Sequence, residues 1–258
     1  MGLRSLQKWL FYDTLLGLVP ENSKVKNVAA GPHWVVIESD QGGLGMAHCL
    51  KQNLPSRAPN HQDLIGQPLA RVAGLVKSWD LVTASIGLAA INAAANARLE
   101  PLKQSLQPDS SKVGCAFDFF LDKVRGKKVA VVGHFPNLEK MAEAATLTIL
   151  ERHPQPGDLP DPAAEYILDE QDAVFATGTT IINKTFPRLL ELSQGADFYL
   201  VGPSTPMFPE LFKFGLTSLS GTLVRNYPPM AAAVSEGLSE EIFHHGGIMV
   251  NLLKEDYL

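Results

Sequence analysis

Cysteine is scarce in this chain: two among 258 residues, Cys49 and Cys115, without the CxxC spacing of a zinc or redox motif. That excludes a disulfide framework, and both read as free thiols of a reducing cytoplasm. Positive charge is short as well. Lys and Arg number 22 against 27 Asp and Glu, a net charge of −5, so the basic footprint that nucleic-acid binding requires is missing. Long apolar runs are also absent. The uncharged stretch Leu81 to Ala97 carries Asn92 and Asn96 and falls short of the roughly 20 residues of a membrane span. Near the amino terminus Asp13 interrupts the run from Trp9 to Val19, so no export signal is expected. No internal repeat or low-complexity tract occurs. These absences leave a soluble cytoplasmic protein, without nucleic-acid or membrane partners, long enough for two domains.

What is present falls into two patterns. Leu3, Leu6, Leu10 and Leu16 recur at nearly helical spacing before Pro20, which predicts an amphipathic helix over residues 3–19. Three segments, 24–30, 34–39 and 44–50, separated by Gly31-Pro32 and Gly42-Gly43, read as antiparallel strands. A helix is expected over 69–76, and a second, alanine-dense one starting at Ser78 or Asp80 as cap. Its small residues suit close packing at a domain interface. A linker near residues 107–114 sets the boundary, giving an α+β domain at 1–108 and a Rossmann-like α/β domain at 109–258.

In the second half, unalternating apolar runs alternate with helical patterns, as in a parallel sheet with helical crossovers. Strands are expected at 127–133, 145–151, 172–178, 197–202 and 216–224, and helices at 138–145, 163–168, 186–192, 209–214 and 229–236. Residues 247–254 fit a further strand or helix.

In open α/β sheets ligands bind outside the carboxyl ends of the strands. Three strand ends here begin with glycine and continue into small or hydroxyl residues at an expected helix start: Gly133-His134-Phe135-Pro136-Asn137, Gly178-Thr179-Thr180 running to Asn183, and Gly202-Pro203-Ser204-Thr205. Free backbone N–H groups at such ends favour a carboxylate or phosphate; read singly, the same residues are what turns and caps use. The loop after Gly133 lacks the second and third glycines of G-x-G-x-x-G, which disfavours NAD or FAD bound in the usual way, although Glu151 stands where a ribose-binding acid would. His134 is a candidate proton shuttle or metal ligand, or else an exposed loop histidine. Asn92 and Asn96, one helical turn apart, face either solvent or an interdomain cleft, and Glu38 could reach that cleft as base or ligand. Structural zinc is not expected, since no HxxxH or CxxC spacing occurs; a metal would have to be shared by a ligand, His134 and Glu38.

The segments IGLAAINAAAN at 86–96, VAVVGHFPNLEK at 129–140, DAVFATGTTIINKT at 172–185 and VGPSTPM at 201–207 resemble the putative heavy-metal chelation family. The resemblance implies an enolase-N-terminal-like domain followed by a Rossmann-like domain, with a cleft between them. Its motifs contribute one histidine and no cysteine, so the metal in the family's description finds little support in these residues. The expected function is binding of an anionic small molecule or metal chelate in the cleft. The alternatives are a lyase or transferase using His134 and Glu38 as acid and base, and a purely structural interaction module. Self-association is left open.

Overall fold

The computed structural model describes residues 9–52, 56–99 and 114–257. The first part holds helix α1 (Leu10–Gly17) and a three-stranded antiparallel sheet, β1 (Val25–Ala30), β2 (Trp34–Ser39) and β3 (Leu44–His48), in that spatial order. Helix α2 (Leu69–Ala73) runs into a 3-10 turn at Gly74–Lys77 and is followed by α3 (Leu81–Arg98). Asp80 caps α3, accepting the Thr83 N–H at 2.8 Å, as expected of a short acidic side chain at that position. The expected domain boundary at 108/109 and most of the linker lie outside the described residues, as does the start of the first expected helix.

The second part holds α4 (Ala116–Phe119), α5 (Leu121–Val124), β4 (Lys128–Val132), α6 (Glu139–Ala144), β5 (Thr146–Glu151), β6 (Leu159–Pro160), α7 (Ala164–Ile167), β7 (Ala173–Thr177), α8 (Thr179–Ile182), α9 (Phe186–Leu192), β8 (Asp197–Val201), β9 (Leu216–Val224), α10 (Tyr227–Ser235) and β10 (Gly247–Leu253). The strands form one sheet in the order β10-β9-β8-β7-β4-β5-β6. From β9 to β6 every neighbouring pair is parallel, and β10 closes the edge antiparallel to β9. Apart from β10 this is the Rossmann strand order, so the chain reverses its direction of travel across the sheet between β4 and β7. The segment at 247–254 is therefore a strand, and Pro209–Phe214 winds as a 3-10 helix rather than an α-helix. Two-residue β6 and the short helices α4, α5 and α8 carry too few residues for a periodic signal.

Side-chain alternation assigns the two faces of this sheet. Val129, Val131, Phe175 and Tyr199 point to one side, where Phe117 and Phe120 cover them; Phe175 and Tyr199 stack with centroids 4.4 Å apart. Ala130, Val132, Val174, Ala176 and Leu200 point to the other and join one core with Leu15, Leu88 and Ile91 of the amino-terminal part. Within that core lies α3, buried from Thr83 to Asn96. Burial all round leaves it no amphipathic stripe, which is why alanine dominates it. A Cβ on Gly45 of β3 would fall 1.9 Å from the Ala93 nitrogen, so only glycine permits the observed approach of strand to helix.

Candidate functional site

The glycine-led strand ends do converge, but what they enclose is protein. Gly133 has φ +107, and a Cβ there would meet Thr177 Cγ2 at 3.1 Å and the Phe135 ring at 3.3 Å. The same ring lies beside Gly202 and packs edge-on to Phe117, centroids 5.0 Å apart. Phe135 thus fills the crevice at the point of reversal. Glu151, at the position of a ribose-binding acid, is committed as well: its carboxylate accepts the His134 N–H at 2.9 Å and the His153 N–H at 3.0 Å.

The expected anion cradle after β7 also turns inward. The Thr180 hydroxyl donates to the Thr177 carbonyl at 2.6 Å, and the Thr179 N–H and hydroxyl donate to Thr177 Oγ1 at 3.3 and 3.1 Å. The helix that begins there has four residues, too few to build an appreciable dipole. Asn183 accepts from the Thr185 hydroxyl at 2.7 Å, whereas Asn137 is exposed in the left-handed region at φ 61. Just beyond, Lys184 donates to the carbonyls of Ser78 and Ile182, and burial pushes its pKa down to about 8.

Asn92 and Asn96 face neither solvent nor an open cleft. Asn92, 3 % exposed, donates to the carbonyls of Met46 at 2.8 Å and Ser204 at 3.1 Å. Asn96 donates to those of Leu44 at 2.5 Å and Thr222 at 3.4 Å. Ser204 accepts the His48 N–H at 2.9 Å, and Thr205 is buried beside it. The Asn92 and Asn96 amides and the Ser204 hydroxyl satisfy backbone acceptors and donors where the small sheet, α3 and β9 meet, so their placement is that of interface staples, while Asn92 Oδ1 and Thr205 Oγ1 are buried there without a partner among the described residues.

An open cavity of about 670 Å³ lies elsewhere on the same edge, beyond β9. Its walls include Lys26 and Asn27 of β1, Glu38 of β2, and Arg225, Asn226 and Tyr227 at the passage from β9 into α10. Leu44 and Ala97 adjoin it, the former held by Asn96. Glu38, with 14 % of its side chain exposed, accepts from Lys26 Nζ at 2.8 Å and Asn27 Nδ2 at 2.7 Å. Tyr227 is pushed up to about 12, by burial first and then by the Glu38 charge, so its hydroxyl stays protonated at neutral pH. Lys26 is thus paired with Glu38, and Arg225 is the other cation in the walls. Pro228 and Pro229 remove two N–H groups from the first turn of α10, which leaves anion recognition there to side chains.

Of the fourteen expected site residues only Glu38 lines this cavity. His134 does not. It follows β4, three strand positions from β9, or about 14 Å at ordinary strand spacing. His134 and Glu38 are therefore not brought together as a shared metal site. Lys26, Asn27, Arg225, Asn226 and Tyr227 were missed, because the segment Arg225-Asn226-Tyr227-Pro228 opens without the glycine that marked the other strand ends.

The donor set does not fit a heavy metal held by protein ligands. Among the described residues no three His, Cys, Asp or Glu side chains gather for one. Both cysteines are free, and burial pushes the Cys49 thiol up, disfavouring the thiolate that soft metals require. No helix among the described residues is long and apolar enough to cross a membrane.

The chain is 39 % identical to a crystallised protein of unknown function from Desulfitobacterium hafniense DCB-2, with TM-score 0.85 over 96 % of this chain and 99 % of that one. A second structure of unknown function, from Pyrococcus horikoshii, shares the fold at 20 % identity, with TM-score 0.74 over 94 % of this chain and 97 % of that one. An uncharacterized protein of Methanocaldococcus jannaschii is 32 % identical over 201 residues, 74 % of each chain. Profiles described as putative heavy-metal chelation match residues 12–95 and 115–253. By these matches the chain belongs to the putative heavy-metal chelation family.

Proposed function

We propose that this protein binds a small anionic organic molecule in the cavity between the amino-terminal sheet and the carboxyl end of β9. The observation that carries the reading is the wall composition: Lys26 and Arg225 to meet a carboxylate or phosphate, with Asn27, Asn226 and Tyr227 as neutral hydrogen-bonding groups. A cavity of about 670 Å³ has the size of a metabolite site. Within this reading a metal enters as the passenger of an organic chelate, with Glu38 the one carboxylate near it. The two free thiols suit a cytoplasmic setting. A lyase or transferase pairing His134 with Glu38 on one substrate draws no support from their separation.

Native mass spectrometry of the full chain with a panel of small carboxylates and phosphates, each alone and with zinc or nickel, tests the reading. Wild type is expected to retain at least one of them. Lys26→Ala with Arg225→Ala should weaken that binding at least about tenfold, the usual order for losing a charged hydrogen bond. Unchanged retention in the folded double variant would overturn the proposal.

A further inference from the structure

Two residues adjacent in sequence reach the same carboxylate in the wall of the β9 cavity. Across β1 and β2 the register runs Val25 opposite Ser39 and then Asn27 opposite Glu38, so Lys26 is the extra residue of a β-bulge. In a regular strand Lys26 and Asn27 would point to opposite faces; a bulge re-aims a side chain. Here Lys26 Nζ donates to Glu38 Oε1 at 2.8 Å and Asn27 Nδ2 to Oε2 at 2.7 Å. The Lys26 side chain is 57 % exposed and that of Glu38 only 14 %. An ion pair with so exposed a partner contributes little, and a carboxylate drawn that far out of water gains from a further cation. Capacity for one remains, because a carboxylate offers about four lone-pair positions and these bonds take one on each oxygen. Lys26 likewise keeps donors beyond the one it gives to Glu38. The charged side chains lining the cavity are Lys26, Glu38 and Arg225, and Tyr227 stands close enough to feel the Glu38 charge. A plain dicarboxylate would meet both cations but bring like charge against Glu38. An ammonium group beside its carboxylates turns that repulsion into attraction.

From this arrangement we infer that the ligand of the cavity is an amino dicarboxylate, whose carboxylates meet Lys26 and Arg225 and whose ammonium group donates to Glu38 and to the Tyr227 hydroxyl oxygen. Leu44 and Ala97 offer apolar surface to its carbon chain. The inference rests on the anion-binding reading and narrows it, from any small organic anion to one that carries a positive charge as well. The bulge is the structural device behind it, since it sets the cation for one carboxylate next to the acceptor for the ammonium group.

Isothermal titration calorimetry of the full chain, in metal-free buffer near neutral pH where aliphatic amines stay charged, compares L-aspartate with succinate and iminodiacetate with glutarate. Within each pair the ammonium group is the difference. Wild type is expected to bind L-aspartate and iminodiacetate at least about tenfold tighter than their partners, the order for one hydrogen bond between charged groups. Glu38→Gln keeps the shape and removes the charge, so each ratio should fall below about threefold. Tyr227→Phe removes only the second acceptor and should lower each ratio about threefold, which serves if Glu38→Gln fails to fold. Equal affinities within each pair, the result expected if Glu38 only pins the bulge, would overturn the inference and leave the anion-binding reading standing. Ratios unchanged in the folded variants would do the same, as would retention of a phosphate with none of the four probes bound. If no anion of any kind is retained, both readings fall.

Discussion

The carboxyl edge of the large sheet has two ends that differ in what fills them. At the β4/β7 reversal, where a Rossmann-like fold invites a ligand, Phe135 occupies the crevice and Glu151 spends its carboxylate on two backbone N–H groups. Beyond β9 the small sheet stands off from the edge and leaves a cavity walled by charged and amide side chains. Strand-end position alone therefore does not identify a ligand site. What separates the two ends is that a side chain, Phe135, fills the space at one and a cavity is left open at the other.

The comparison depends on how firmly α3 holds the small sheet, and that is where the largest effect is expected. Gly45→Ala places a methyl group 1.9 Å from the Ala93 nitrogen, so strand and helix must part. A loss of about 3 kcal/mol or more is expected in chemical denaturation, together with loss of anion binding beyond β9. A neutral Gly45→Ala would show that the approach is looser than described. Asn92→Ala and Asn96→Ala each leave buried carbonyls without a partner, and each should cost about 1–3 kcal/mol. If these asparagines belonged to a binding wall instead, their loss would change ligand affinity with little change in stability.

Asp80 offers a smaller, pH-dependent effect. Burial pushes its carboxyl up, but the N–H groups of Thr83 and Arg57 and the hydroxyls of Thr83 and Ser56 outweigh it and hold the pKa below the usual carboxylate range. A depressed carboxyl stabilises the fold above its unfolded pKa of about 4, and the contribution is lost as pH falls through the folded value. Asp80→Ala should therefore cost about 1 kcal/mol at neutral pH, and less against wild type as both are acidified. A gap that widens on acidification would contradict the sign. Smallest of all should be the effect of Thr179→Val with Thr180→Val on succinate binding, which ought to stay within about twofold because these hydroxyls bond to Thr177.

Much of the fold could be read from the residues. Apolar runs such as VAVV at 129–132 and VFAT at 174–177 leave few conformations other than buried parallel strands. The alanine run of α3 is equally plain, whereas its cap is open between Ser78 and Asp80 until the Asp80 bond to the Thr83 N–H is seen. The site was harder to read. Gly133, Gly178 and Gly202 marked where loops crowd, but crowding and binding look alike until Phe135 is placed in space. The cavity residues Lys26 and Tyr227 stand about 200 positions apart in the chain, and no local pattern links them. Asn92 and Asn96 were noticed for the right chemical reason, polarity on an apolar helix, yet their partners are carbonyls of β3, of the loop after β8 and of β9, which only the fold brings near.

The most direct measurement is amide chemical-shift mapping of the 15N-labelled full chain during titration with succinate. Shifts concentrated at Lys26, Asn27, Asn226 and Tyr227, with Thr179 and Thr180 still, are the predicted result. Shifts at Thr179, Thr180 and Gly202 with the β9 end unmoved would contradict it.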